Sequence, residues 1–277
     1  MKLRFGFSPC PNDTIQFYAL VNGLVDTEGY EFEPILEDVE ALNLMALEGE
    51  LELSKASYGL LGHVLTDYWC LRSGGALGRG CGPLWIAARP GPAEEYAEYP
   101  VAHPGVNTTA YLLLTLRTGG VEGVPMLFSD VMGAVASGEA NSGVIIHEGR
   151  FTYGERGLFA VEDLGEWWER TTGAPIPLGC IMLKRDIPGG PDPLKVERWL
   201  RESYEYALAN PEKVLEYVRE HSQELSEEVV KSHIGLYVNE FSRDLGEEGE
   251  GAVLELMRRQ RDLALIPQFA GEIFPPK

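Results

Sequence analysis

His147 follows the apolar run Val144-Ile145-Ile146 and precedes Glu148-Gly149, a spacing that places an imidazole at the end of a strand. With a reference pKa of about 6.5, such a group can take a proton near neutrality, worth typically a hundredfold to ten-thousandfold in rate, both as orders of magnitude. The same pattern fits a structural histidine with satisfied ring nitrogens, and the residues alone leave both readings open. Lys55, Ala56 and Ser57 form a second candidate group, a short strand ending in small and polar residues ahead of Gly59. Lysine is poor strand material, so Lys55 reads either as facing a ligand or as facing solvent from an edge strand. Thr108, Thr109 and Ala110 open an apolar helical stretch, where hydroxyls and first-turn N–H groups can hold a carboxylate or simply cap the helix. In the loop from Ser8 to Thr14, two prolines fix the backbone while Asn12 and Asp13 can both cap a helix and reach a cleft. Cys10 lies in that loop with no base assignable to it, and reads as a buried or half-buried thiol.

Composition limits what these groups can act on. The chain of 277 residues carries a formal net charge of −20, which repels nucleic acid and anionic membrane surfaces. An anionic ligand would therefore need strong local donors, and two helix N-termini supply them at roughly 0.3 to 1 kcal/mol each. No apolar run approaches the roughly 20 residues of a membrane helix, so membrane insertion is not expected. Met1 to Phe7 leaves no room for a signal-peptide core, and the four cysteines are scattered without a C-x-x-C pair, so the expected location is the cytoplasm. The remaining histidines, His63, His103, His221 and His233, show no ligand spacing; they read as structural, and no metal is expected. Gly78-Arg79-Gly80-Cys81-Gly82 precedes a strand instead of opening a helix, so it suggests a hinge and not a dinucleotide loop.

The elements that must position these groups are strand, loop and helix in alternation. Leu3 to Phe7 alternates as a strand, and a helix runs from the Asn12-Asp13-Thr14 cap cluster to about Asn22. A strand at Glu31 to Leu36, a helix at Val39 to Leu47 and a strand at Leu84 to Ala88 follow. Pro90 to Pro100, rich in Pro, Glu and Ala, reads as a linker between lobes. Beyond it the opening repeats: His103-Pro104-Gly105-Val106-Asn107-Thr108-Thr109 lies over Ser8 to Thr14, with Pro, Asn and the last Thr coinciding. A second echo sets Met45 to Ser57 against Val131 to His147, each reading helix, Gly-Glu, strand, polar residue. The expected architecture is α/β, with two lobes built alike around a central cleft. The expected division is residues 1–100 for the first lobe, 101–188 for the second, and 189–277 for C-terminal helices returning mostly to the first.

Ser8 to Thr14, Ser54-Lys55-Ala56-Ser57-Tyr58, Pro104-Gly105 with Thr108-Thr109-Ala110, and Ile146-His147-Glu148 together resemble the 1,4-dihydroxy-6-naphthoate synthase family of the futalosine route to menaquinone. The resemblance continues through Leu178-Gly179-Cys180 and His233-Ile234 with Tyr237-Val238-Asn239, hence over nearly the whole chain. It implies a fold like that of type II periplasmic binding proteins and a lyase with no metal or organic cofactor. The implied substrate is a small carboxylate, cyclic dehypoxanthinyl futalosine, from which a sugar-derived fragment is lost. It also implies that His147 accepts the proton, while Lys55-Ala56-Ser57 and Thr109-Ala110 touch the substrate. Chorismate dehydratase of the same pathway is the nearest rival, matching the Ser8 to Thr14 loop less well; a non-catalytic carboxylate-binding protein is a rival of another class.

Overall fold

In the computed structural model, which describes residues 1–222 and 226–277, the chain folds into two α/β lobes. The first opens with β1 (Lys2–Phe7), α1 (Pro11–Val21), β2 (Glu31–Leu36), α2 (Val39–Leu47), β3 (Leu53–Ser57), α3 (Tyr58–Val64) and β4 (Tyr68–Gly78). The second comprises β5 (Leu84–Ala87), α4 (Ala93–Tyr96), β6 (Val101–His103), α5 (Thr109–Thr118), β7 (Gly123–Pro125), α6 (Phe128–Ser137), β8 (Ser142–Ile145), α7 (Gly149–Thr152), β9 (Phe159–Asp163) and α8 (Leu164–Thr172). The chain then returns through β10 (Ile176–Lys184) to α9 (Pro193–Ala209), α10 (Pro211–His221), α11 (Glu227–Tyr237), α12 (Glu240–Arg243) and α13 (Gly246–Asp262).

The repeat read in the sequence is a repeat of topology. One five-stranded sheet has the order β2-β1-β3-β10-β4 and the other β7-β6-β8-β5-β9. In each, the first three strands are parallel, and the strand beside them, β10 or β5, runs antiparallel. Parallel strands need crossover helices, so the C-terminal ends of β1, β3, β6 and β8 all reach the same edge, where helix starts gather. Leu3, Phe5 and Phe7 on β1 are fully buried, as their alternation requires, and pack with Phe17 of α1. α9 and α10 pack on α1, α11 on α1 and β4, and α13 on β10 and β4. An apolar cluster joins the lobes, with Leu60 and Met182 on one side, Trp85 and Leu113 on the other, and Met257 from α13.

Two boundaries differ from the sequence reading. Leu84–Ala87, allotted to the first lobe, pairs with β8 and β9 in the second sheet, and Ile176–Lys184, allotted to the second, pairs with β3 and β4 in the first. The lobes therefore change at residues 79–83, and Pro90 to Pro100 is no linker: Ala93 and Tyr96 are buried in the second lobe. The glycine run read as a hinge is this crossing. A Cβ at Gly82 would lie 2.3 Å from the backbone of Gly165 at the start of α8, so backbone meets backbone where the chain passes between lobes.

Candidate functional site

A cavity of about 90 Å³ lies between the lobes at the shared edge. Its lining includes Asn12, Asp13, Lys55, Ala56 and Ser57 from the first lobe, and Thr108, Thr109, Ala110 and His147 from the second. These nine candidate residues thus meet at one place, without Cys10, though several use their atoms differently from the expectation.

On the first-lobe wall the cap of α1 is Cys10, with Pro11 in the first turn, rather than Asn12 or Asp13. Cys10 is half-buried and burial pushes its thiol up, so it stays protonated. Asp13, inside the first turn and 2% exposed, accepts from the Ser8 hydroxyl at 2.7 Å, the Ser8 N–H at 3.2 Å and Asn12 Nδ2 at 2.7 Å. Lys55 Nζ lies 3.0 Å from Asp13 Oδ1 and donates to the Gly74 carbonyl at 3.0 Å. Because β3 sits between β1 and β10, Lys55 is buried and the edge-strand reading falls. An ammonium has three hydrogens, so one is left for a ligand. Ser57 N–H donates to Asn43 Oδ1 at 2.8 Å, while Asn43 Nδ2 donates to Ser57 Oγ at 3.1 Å, which frees the hydroxyl proton. Ala56 is fully buried and supplies wall.

The second-lobe wall corrects the expected role of two hydroxyls. Thr108 Oγ1 donates to the Gly105 carbonyl at 2.7 Å and accepts from Tyr111 N–H, as the N-cap of α5. Thr109 Oγ1 donates to the Leu178 carbonyl at 2.6 Å and accepts from Gly59 N–H at 3.0 Å, tying the lobes together. Both hydroxyl protons are spent. What α5 can still offer is its first-turn N–H groups, at Thr109 and Ala110, which have no acceptor within the helix. A further tie between lobes runs from Asn107 N–H and Nδ2 to Glu40 Oε1, at 3.1 and 2.9 Å.

His147 stands just past β8 in left-handed backbone, φ +54°, half-buried and edge-on to Phe128 at 5.3 Å between ring centroids. Burial lowers its pKa, Glu148 and Asp13 oppose that, and Lys55 adds to it. The imidazole is therefore neutral at pH 7 and able to accept a proton. His233, read in the sequence as structural, is fully buried on α11 and holds its ring 6.2 Å from that of His147 at 19° between planes. Neither ring nitrogen has a partner among the described residues. Tyr237, one turn on, lines the cavity. Among the described residues no group of three or more His, Cys, Asp or Glu is placed to hold a metal ion.

A sequence profile described as menaquinone biosynthesis matches residues 3–262. The chain belongs to that family. The menaquinone biosynthesis chain is 52% identical over 254 residues to a 1,4-dihydroxy-6-naphtoate synthase of Thermus thermophilus, covering 92% of each. It is 44% identical to one of Streptomyces coelicolor, covering 96% of this chain and 95% of that one. A crystal structure of a protein from Archaeoglobus fulgidus superposes with a TM-score of 0.88 at 33% identity, over 96% of this chain and 98% of that. The alkanesulfonate-binding protein of Xanthomonas axonopodis pv. citri gives 0.71 at 12%, over 96% and 94%. The fold is that of periplasmic binding proteins, an architecture suited to holding a small molecule in its cleft. No helix of the described residues is long and apolar enough to cross a membrane.

Proposed function

We propose that this chain is a 1,4-dihydroxy-6-naphthoate synthase, a carbon–carbon lyase that removes the sugar-derived fragment from cyclic dehypoxanthinyl futalosine, working in the cytoplasm. The observation that carries the reading is the cavity that sets a neutral imidazole, His147, with the first-turn N–H groups of Thr109 and Ala110 and the free proton of Ser57. Identities of 52% and 44% to relatives bearing that name support it further.

In this reading the substrate carboxylate is held by the Thr109 and Ala110 N–H groups and the Ser57 hydroxyl, with the third hydrogen of Lys55 on a neighbouring oxygen. Asn12 and Asp13 keep Lys55 in place. His147 takes a proton from a ring hydroxyl or ring carbon, the carbon–carbon bond to the sugar-derived fragment breaks, and a carbonyl accepts the electron pair. Protonated His147 can then return its proton, and aromatisation of the bicycle drives the sequence. A cavity walled on both sides limits water during the step.

Purified protein incubated with the cyclic futalosine should generate the absorbance of the naphthoate diol. Ligand binding without turnover would instead establish a carboxylate-binding protein. Turnover of chorismate in place of the futalosine would establish the dehydratase, the rival that the names of the relatives favour less.

A further inference from the structure

His233 stands out among the buried titratable groups of the described residues. It is 0% exposed, both ring nitrogens lack partners among the described residues, and its neighbours Phe151 and Tyr237 contribute aromatic rings at 6.4 and 4.7 Å between centroids. A buried imidazole without hydrogen bonds is worse for stability than an apolar ring of similar size, so packing alone would favour phenylalanine here. The ring planes of His233 and His147 are within 19° of parallel. His147 comes from the second lobe, whereas α11 packs on α1 and β4 of the first.

We propose that His233 is a positioning residue for His147: an imidazole carried by a helix packed on the first lobe that stands beside the ring of the second-lobe base and fixes its orientation. The idea rests on His147 acting as the base. The charged and titratable groups facing His147 are Glu148 beside it, Asp13 and Lys55 from α1 and β3, Asp38 ahead of α2, and His233 with Tyr237 from α11. Cys10, Arg150, Cys81 and Asp163 lie around Tyr237.

The decisive variant is His233→Phe, which keeps an aromatic ring and removes both nitrogens. The expected result is kcat reduced at least about tenfold with KM within about twofold, an unchanged or higher Tm, and a displaced acid limb of the kcat profile. His233→Gln, which keeps polar atoms near the same place, should recover part of kcat. Imidazole NMR of His147 gives a readout independent of turnover, and its titration midpoint should move in His233→Phe. If His233→Phe retains wild-type kcat and an unmoved His147 midpoint, the positioning role is wrong and His233 is packing. Failure of the wild type to turn over the futalosine would overturn the assigned reaction instead, and the NMR comparison would still decide between positioning and packing.

Discussion

Replacing Lys55 by methionine separates two demands on one side chain, neutralising Asp13 and meeting a ligand. The charges stand 3.0 Å apart with side-chain exposures of 6% and 3%, so at an effective dielectric constant near 20 the direct attraction is about 5 kcal/mol before desolvation is deducted. Removing one partner of such a pair leaves the other charge buried, at a cost of about 3 to 5 kcal/mol. Asp13 would keep the two Ser8 donors and Asn12 Nδ2, which places Lys55→Met at the lower end, about 3 kcal/mol. Adding Asp13→Asn removes the stranded charge, so the double variant should recover at least about 1 kcal/mol of that loss. Urea unfolding at pH 7 measures both, with the midpoint moving and the slope unchanged. Ligand affinity in folded Lys55→Met should fall about tenfold, the worth of one charge-assisted hydrogen bond. A loss of stability below about 1 kcal/mol, or a double variant no more stable than the single, would show that the pair does not hold this wall together.

His147→Asn keeps a residue type that tolerates left-handed backbone while removing the base, so kcat should fall about a hundredfold to ten-thousandfold with the fold intact, read by steady-state kinetics beside a thermal melt. In the wild type the acid limb of kcat/KM should have its midpoint below about 6.5, because burial lowers the His147 pKa; a midpoint above that value would contradict the electrostatics described. Burial also lowers the His233 pKa to about 3. Since the folded value lies below the unfolded one, the unfolded chain binds the extra proton: the contribution is fully present above pH 6.5 and is lost as pH falls toward about 3. At pH 5 the loss is about 2 kcal/mol relative to pH 8, and His233→Phe should abolish that share of the acid sensitivity in urea melts at the two pH values. Gly82→Ala drives a methyl to 2.3 Å from the Gly165 backbone, which has no side chain to move aside, so stability should drop by about 2 kcal/mol or more in a thermal melt.

Local structure was legible because it depends on local pattern. The helix at Val39–Leu47 and the strand at Glu31–Leu36 fall where periodicity places them. The duplication was legible too, since Asn12 in the first turn of α1 and Asn107 just ahead of α5 mark matching helix starts. Sheet membership was not, because β5 is assigned to its lobe by β8 and β9, strands more than fifty residues further on, and β10 by strands more than ninety residues back. Likewise the Thr109 hydroxyl looks free in sequence, and only the approach of Leu178 and Gly59 spends it. Val230, His233 and Tyr237 fall on one face of α11, so His233 carries the sequence signature of an ordinary buried position. Its proximity to His147 exists only once the C-terminal helices fold back.

The two halves share a frame and diverge at the position where chemistry is proposed. β3 ends in Ser57, whose extended backbone, φ −72°, leads directly into α3. The echo of Ser57 in the second lobe is His147, and there the chain turns left-handed at φ +54° before α7 begins at Gly149. Such a turn costs a non-glycine residue about 1 to 2 kcal/mol, and Glu148 after it contributes no side-chain cap to α7. The turn does leave the imidazole lining the cavity while facing the charges of Asp13 and Lys55 on the other lobe. A binding protein with two equivalent walls could have kept the ordinary strand-to-helix passage in both. The departure in one lobe only, at a residue able to exchange a proton, is what favours catalysis over simple capture in this cleft.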